Sequence, residues 1–204
     1  MSDLYTLLRH SLAGLRVLVA MTVLLGLAYP LAITGVAQVA LPWQADGSLL
    51  TASGAHTTDA GDAVGSAIVG QVVDDDALFF DRPSAAGDGY DLLSTYGSNL
   101  GPNNPELVAE IEERRAAVAE REGVDPADVP PDAVTASASG IDPDISPAYA
   151  ALQVPRVAAA NDLGEAEVRR LVDEHTSGRT WGVLGEPRVN VLELNIAVTR
   201  LAGS

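Results

Sequence analysis

The feature that most constrains this chain is a long uncharged run near its N-terminus. No charged residue occurs from Val17 to Leu41, and most side chains in the run are apolar. Because an α-helix rises about 1.5 Å per residue, about 20 residues cross the roughly 30 Å hydrocarbon core of a bilayer. A cleavable signal peptide is the alternative, but its apolar core usually has about 7–15 residues, and Gly35-Val36-Ala37 is a weak cleavage site. The run therefore predicts one retained transmembrane helix, over residues 17–41.

The basic residues beside this run predict its orientation. Arg9 and Arg16 precede the run, and the next basic residue is Arg82. Positively charged flanks stay in the cytoplasm. We therefore expect a single-pass protein of the cell membrane, with residues 1–16 in the cytoplasm and the remainder of the chain extracytoplasmic.

The charge balance excludes several functions. The chain carries a formal net charge of −16, its 12 basic residues are all arginine, and Asp outnumbers Glu. A protein this acidic repels the phosphates of nucleic acids. We therefore expect no nucleic acid partner. Without lysine the chain has neither a phosphate-binding-loop lysine nor a Schiff-base nucleophile. The composition resembles that of proteins from salt-loving organisms, which predicts an origin in a halophilic archaeon.

The part after the membrane helix is expected to be one small domain of the α+β class. Residues 42–63 are rich in Gly, Ser, Thr and Ala, which predicts a flexible connection. The extracytoplasmic domain then occupies residues 64–204. Within it, the small apolar residues from Val64 to Val73 predict a short strand or two. Residues 81–104 form a long irregular connection, of a length usually found in binding or lid segments.

Capping signals predict the helices of this domain. Asn104-Pro105-Glu106 combines an N-cap, a proline at the first helical position and an acid in the first turn, and Ser146-Pro147 repeats the logic. Pro155 is expected to kink or break its helix. Residues 188–201 fit helix and strand spacing almost equally, so their type stays open. The helices are predicted at about residues 105–121, 146–160 and 165–175.

The hydroxyl-rich segment 135–143 is the most suggestive polar motif. It contains Ser137 and Ser139 and ends near Asp142. We interpret it as a tight turn whose side chains cap neighbouring backbone groups. The alternative is a membrane-anchored extracytoplasmic serine hydrolase, which would need a base such as His175 brought close by the fold.

Two further polar sets bear on binding. Gln153 and Arg156 lie three residues apart on one helix face and could together hold an anionic or amide-bearing ligand. His10, His56 and His175 are scattered along a chain that has no cysteine. We therefore expect no metal site and assign no catalytic residue.

Seven segments, taken in order, resemble the signature blocks of the C subunits of Kdp-type potassium-transporting P-type ATPases. In two places the chain departs from the family pattern: the loop at residues 53–62 is longer than usual, and Asp81 lies where a glycine often precedes the Arg-Pro-Ser-Ala block. The blocks extend from Ala28 to Ala197 and read AYPLAITGVAQ, PWQADGSL, GSAIVGQ, DRPSA, GSNLGPNNPEL, VTASASGIDPDISPAYAALQVPRVA and RVNVLELNIA.

The resemblance implies an accessory, non-catalytic subunit of a complex that imports potassium with ATP. Its partners would be a P-type subunit that hydrolyses ATP and a channel-like subunit that carries potassium, all within the lipid bilayer. The P-type phosphorylation motif D-K-T-G-T requires the lysine that this chain lacks. We expect no tightly bound cofactor, ATP encountered only through the complex, and potassium as the transported ion.

Two roles are compatible with this resemblance. In the leading hypothesis the chain assembles and stabilises the complex: Tyr29, Pro30 and Gly35 dock on a partner in the membrane, and the domain covers the extracytoplasmic mouth of the potassium path. The family is also described as a catalytic chaperone that raises nucleotide affinity, which would place ATP against Gln153 and Arg156. ATP binds in the cytoplasm, whereas the charge bias places Gln153 outside.

Overall fold

The computed structural model describes residues 2–203, and the chain divides into two compact units, Met1–Ser48 and Leu49–Ser204. The first unit is helical throughout most of its length. Its residues Asp3–Ala40 form one long helix of 38 residues, apolar enough to cross a membrane (mean hydropathy 2.2), with none of that apolar stretch buried in the structure. The segments of this unit are α1 (Ser2–Val23), a π-helical turn (Leu24–Ala28), α2 (Tyr29–Ala40) and the short α3 (Pro42–Ala45).

The π-helical turn has a local cause in the sequence. The Tyr29 N–H donates to the carbonyl of Leu24, five residues back. Pro30 follows at once, has no N–H, and its ring would press on the carbonyl four residues before it. A wider turn at this point changes the hydrogen-bond register of the helix without breaking it.

The second unit contains two small antiparallel sheets. The strands are β1 (Leu49–Thr51), β2 (His56–Thr57), β3 (Ala63–Ser66), β4 (Asp144–Ile145), β5 (Thr176–Ser177) and β6 (Arg188–Asn190). In the first sheet the strand order is β2-β1-β3, and in the second it is β4-β6-β5. In the second sheet the central strand β6 therefore pairs with both β4 and β5.

Four helices supply most of the core. They are α4 (Pro105–Glu122), α5 (Pro147–Ala160), α6 (Glu165–Glu174) and α7 (Val191–Ala202). The side chain of Asn104 accepts a hydrogen bond from the N–H of Glu106, and that of Ser146 accepts one from Tyr149, so both predicted helix starts are confirmed. The core is centred on α5, with buried residues that include Tyr149, Val154, Val157, Val168, Leu194 and Val198.

This mixture of helices and short strands confirms the α+β class, and four local predictions can be compared with it. The segment 42–63 contains α3, β1 and β2; its flexibility stays a prediction. From Val64 to Val73 only the first residues belong to a strand, β3. Pro155 does not break α5, and it is exposed, so its ring lies away from the core. Residues 188–201 are neither one helix nor one strand: β6 ends at Asn190, where α7 begins.

Candidate functional site

Gln153 holds an extended segment of the chain against helix α5. Its side chain is fully buried. The N–H of Phe80 donates to Gln153 Oε1 at 2.7 Å, and Gln153 Nε2 donates to the carbonyl of Phe80 at 3.1 Å. Phe80 belongs to no strand, so this side-chain amide supplies the pair of hydrogen bonds that a neighbouring strand would otherwise provide.

Asn195 of α7 does the same for the preceding residue. The N–H of Phe79 donates to Asn195 Oδ1 at 2.7 Å, and Asn195 Nδ2 donates to the Phe79 carbonyl at 2.9 Å. Asn195 is buried, and the Phe79 ring is part of the core. We call Gln153 and Asn195 the amide clamp. Sequence reasoning missed Asn195, although a polar residue between Leu194 and Ile196 in an apolar helix was a usable signal.

Arg156 joins the amide clamp to an arginine-flanked aromatic ring. Its Nη2 donates to Gln153 Oε1 at 2.8 Å, and its Nη1 donates to the carbonyls of Leu78, at 2.9 Å, and Asp76. Its guanidinium lies over the Phe80 ring, 4.8 Å from the ring centroid. The predicted pair of Gln153 and Arg156 is therefore brought together, but against the protein's own backbone.

The buried carboxylate of Glu122 pairs with two arginines. The side chain of Glu122 is fully buried and accepts from Arg121 at 2.7 Å and from Arg156 at 3.0 Å. Arg121 also lies over the Phe80 ring, at 4.2 Å, and donates to the Tyr149 hydroxyl at 3.0 Å. Burial raises the pKa of Tyr149, and Arg121 partly offsets that rise. Because one carboxylate serves two guanidiniums, the cluster keeps a net positive charge, and removal of Glu122 would leave both arginines without their ion-pair partner.

The Arg-Pro-Ser-Ala block and the hydroxyl-rich segment 135–143 form one interlocked loop structure. Arg82 Nη1 donates to Asp142 Oδ2 at 2.9 Å, and Ser84 Oγ donates to the carbonyl of Gly140 at 2.7 Å. Gly140 has φ +75°, and a Cβ there would approach Ala86 Cβ to 2.5 Å, so this contact requires glycine. These two signature blocks therefore fold against each other.

The serines of this segment serve its turn. Ser137 and Ser139 hydroxyls lie 3.1 Å apart, and they accept the N–H groups of Gly140 and Ile141. Nδ1 of His175 is bonded instead within its own helix, 2.8 Å from the Leu171 carbonyl. The interpretation of capping hydroxyls is confirmed by these bonds, which give the hydrolase alternative no support.

A small, mainly apolar cavity lies beside Asp81. The cavity has a volume of about 30 Å³, and among the residues that the structure describes, Asp81 Oδ1 and Gln71 Nε2 have no hydrogen-bond partner. Burial, helped by the charges of Asp142 and Asp144, raises the pKa of Asp81 to about 8. Burial also raises the pKa of Asp144, which Arg188 partly offsets. Asp81 therefore holds a proton at neutral pH.

The two histidines of the second unit come together although they are far apart in sequence. His56 and His175 line one open cavity of about 250 Å³, with Glu193 and Arg200. Within residues 2–203 no group of three or more His, Cys, Asp or Glu side chains could hold a metal ion. His10 lies in α1, in the other unit.

The residues predicted to dock in the membrane all lie at the start and middle of α2. Tyr29 and Pro30 directly follow the π-helical turn, and the Tyr29 side chain is exposed. A Cβ built on Gly35 would meet no atom within 4 Å. The helix surface around Gly35 is thus open for close approach by another helix.

Comparison with known proteins gives one consistent result. The family described as "KdpC: K+-transporting ATPase, c chain" matches residues 11–200. The "Potassium-transporting ATPase KdpC subunit" of Kineococcus radiotolerans is 50% identical over 199 residues, which cover 98% of this chain and 97% of that protein. Proteins with the same description are 52% identical in Caulobacter vibrioides (87% of this chain, 86% of the relative) and 47% identical in Mycobacterium tuberculosis (95% and 99%). These relatives are bacterial.

Proposed function

Because the chain belongs to the KdpC family of potassium-transporting ATPase subunits, we propose that it is an accessory subunit that assembles and stabilises the transport complex and modulates its ATP-hydrolysing partner. The observation that carries this proposal is the extent of the family match, over residues 11–200. That range includes both the apolar helix and the domain, so both parts belong to the function. It also includes the amide clamp and the interlocked loops.

The membrane role rests on the long helix. The chain is a membrane subunit with one N-terminal apolar helix. We propose that Arg9 and Arg16 hold its N-terminus in the cytoplasm, which places the domain outside. In that orientation the domain lies on the side from which potassium is imported.

The docking element in this proposal is helix α2. A single transmembrane helix has no partner of its own chain, and helices in bilayers associate through small residues that allow close backbone contact. Gly35 offers such a surface, and the π-helical turn beside Tyr29 and Pro30 is a feature often found at functional positions. The partners would be the ATP-hydrolysing and the channel-like subunits.

The alternative role is direct contact between ATP and Gln153. One observation opposes this role and one favours it. Gln153 is buried and already bonded to Phe80, so contact with a nucleotide would require the amide clamp to open. Arg121 and Arg156 beside it do form a cationic, aromatic surface of a kind that can bind a nucleotide base. We prefer the assembly role, because the hydrogen bonds of the amide clamp join parts of the domain to each other and engage both polar atoms of the Gln153 side chain.

Salt adaptation is a further part of the proposal. Residues 49–204 contain ten arginines and 26 Asp or Glu residues, so the entire net charge of −16 lies in the second unit. Such a domain would gain stability when salt screens its self-repulsion. We propose that the protein works in a salt-rich environment, whatever the lineage of its host.

Replacing Gly35 by Leu tests the docking proposal. We expect Gly35→Leu to reduce co-purification with the ATP-hydrolysing and channel-like subunits, because a bulky side chain holds a partner helix away. The matched control is Gly14→Leu, at another helix glycine where a Cβ would meet no atom within 4 Å. Normal assembly of the Gly35→Leu variant, or equal loss in both variants, would contradict docking at α2.

A further inference from the structure

We propose that residues 178–187, the loop between β5 and β6, form a second membrane contact by inserting an apolar tip into the headgroup region of the lipid bilayer. This inference rests on the membrane anchoring described above. It concerns a part of the domain that neither the amide clamp nor α2 involves.

The loop has a defined structure. The N–H of Thr180 donates to the carbonyl of Leu184 at 2.9 Å, and the N–H of Leu184 donates back at 3.0 Å. Below this bridge, Arg179 Nη2 lies 2.5 Å from Glu186 Oε2. These bonds close a narrow hairpin, so the residues at its tip are presented in a fixed arrangement.

The tip exposes large apolar side chains to solvent. Trp181 is 87% exposed, Val183 72% and Leu184 53%. Trp181 has φ +53°, in the left-handed region that is unfavourable for a residue with a bulky side chain. A strained tryptophan whose ring lies in solvent gains little from packing within the domain, which indicates that its contact lies outside this chain.

The tip carries no charge, although the domain as a whole is acidic. No charged residue occurs from 180 to 185, and the flanking Arg179 and Glu186 neutralise each other. The remainder of residues 49–204 carries the whole net charge of −16. This pattern suits insertion at the boundary between headgroups and acyl chains, because tryptophan is favoured there and the tip carries no charge towards the apolar region, where charge is costly.

The position of the loop within the domain fits this contact. At the base of the hairpin, Asn190 Nδ2 donates to the carbonyl of Ala67 at 2.8 Å. The neighbouring Ser66 is paired with Leu49, the first residue of the domain after the anchor segment. The hairpin therefore starts from the end of the domain at which the chain enters it, and its tip at Gly182, eight residues before Asn190, lies at most about 29 Å from that base.

Tethering makes a small apolar tip sufficient. Only residues 41–48 join the apolar helix to β1. Because the domain is held at the membrane, insertion of the tip is an intramolecular step with a high effective concentration, and it needs only weak intrinsic affinity.

Tryptophan fluorescence tests this directly, because the chain has only Trp43 and Trp181. In a Trp43→Phe variant of the full chain, reconstituted in phosphatidylcholine vesicles in molar potassium chloride, Trp181 is the only tryptophan. We expect blue-shifted emission that loses most of its intensity when brominated phosphatidylcholine replaces the ordinary lipid. Val183→Asp in the same background should shift the emission to the red and reduce the quenching, with an unchanged circular dichroism spectrum.

Two results would overturn the inference. One is water-like Trp181 emission that acrylamide quenches and brominated lipid does not. The other is Trp181 emission that lipid leaves unchanged and that becomes shielded only when the other subunits are added, which would identify a protein partner. Both leave the co-purification result for Gly35→Leu unaffected, so failure here is distinguishable from failure of the proposed function.

Discussion

At the scale of the residue, Asp81 connects a departure from the family pattern to a measurable property. Its folded pKa of about 8, raised mainly by burial, exceeds the ordinary value of 3.8. Between these two pH values the folded domain keeps a proton that the unfolded chain has lost. Stability from this group is therefore fully present below the lower value and is lost as the pH rises towards the higher one.

We predict that Asp81→Asn removes this loss, because the neutral amide carries no ionisation cost in the cavity. The free energy of unfolding of the variant should exceed that of the parent at about pH 8, by between about 1 and 5 kcal/mol, and the two should converge towards about pH 4. Thermal unfolding in constant molar salt measures this. The control is Asp74→Asn, at an exposed carboxylate. If the free energy of unfolding of Asp81→Asn depended on pH as steeply as that of the parent, Asp81 would not be the group responsible for the loss of stability.

At the scale of the element, the amide clamp joins α5 and α7 to a segment without secondary structure. Replacing Gln153 or Asn195 by Ala leaves backbone groups of Phe80 or Phe79 buried without partners, which costs about 2–4 kcal/mol in each case. We predict that each variant lowers the Tm of the protein by roughly 5–15 °C. The exposed amide in Asn103→Ala is the control, and it should leave the Tm unchanged.

The variants Gln153→Ala and Asn195→Ala also distinguish the assembly role from direct contact with ATP. If Gln153 acts through the clamp, Gln153→Ala and Asn195→Ala should change the KM for ATP of the assembled complex to the same small extent. If ATP contacts Gln153, only Gln153→Ala should raise that KM. A large rise confined to Gln153→Ala would contradict our preference for the assembly role.

The helices and strands differ in how well they could be predicted from the sequence. Local capping signals were sufficient for the starts of α4 and α5, because Asn104 and Ser146 bond to N–H groups within three residues. The change from β6 to α7 could not be predicted from periodicity, since Asn190 both ends the strand and caps the helix. The clamp was out of reach, because its hydrogen bonds join residues 73 and 116 positions apart.

At the scale of the whole molecule, charge is concentrated in the second unit. With 26 acidic and ten basic residues in 49–204, repulsion among carboxylates opposes compactness unless salt screens it. We predict a Tm that rises as potassium chloride increases from about 0.1 to about 3 M. Replacing exposed Glu112 and Glu113 of α4 by Gln should reduce this dependence. A Tm that is constant across the series would show that the acidic surface is not an adaptation to salt.

The central claim is that this chain is required by the transport complex and hydrolyses nothing itself. Its most direct test is potassium-stimulated ATP hydrolysis by the purified ATP-hydrolysing and channel-like subunits, reconstituted with and without this chain. We predict activity only when the chain is present, and none from the chain alone. Full potassium-stimulated activity in its absence, or ATP hydrolysis by the isolated chain, would contradict the account.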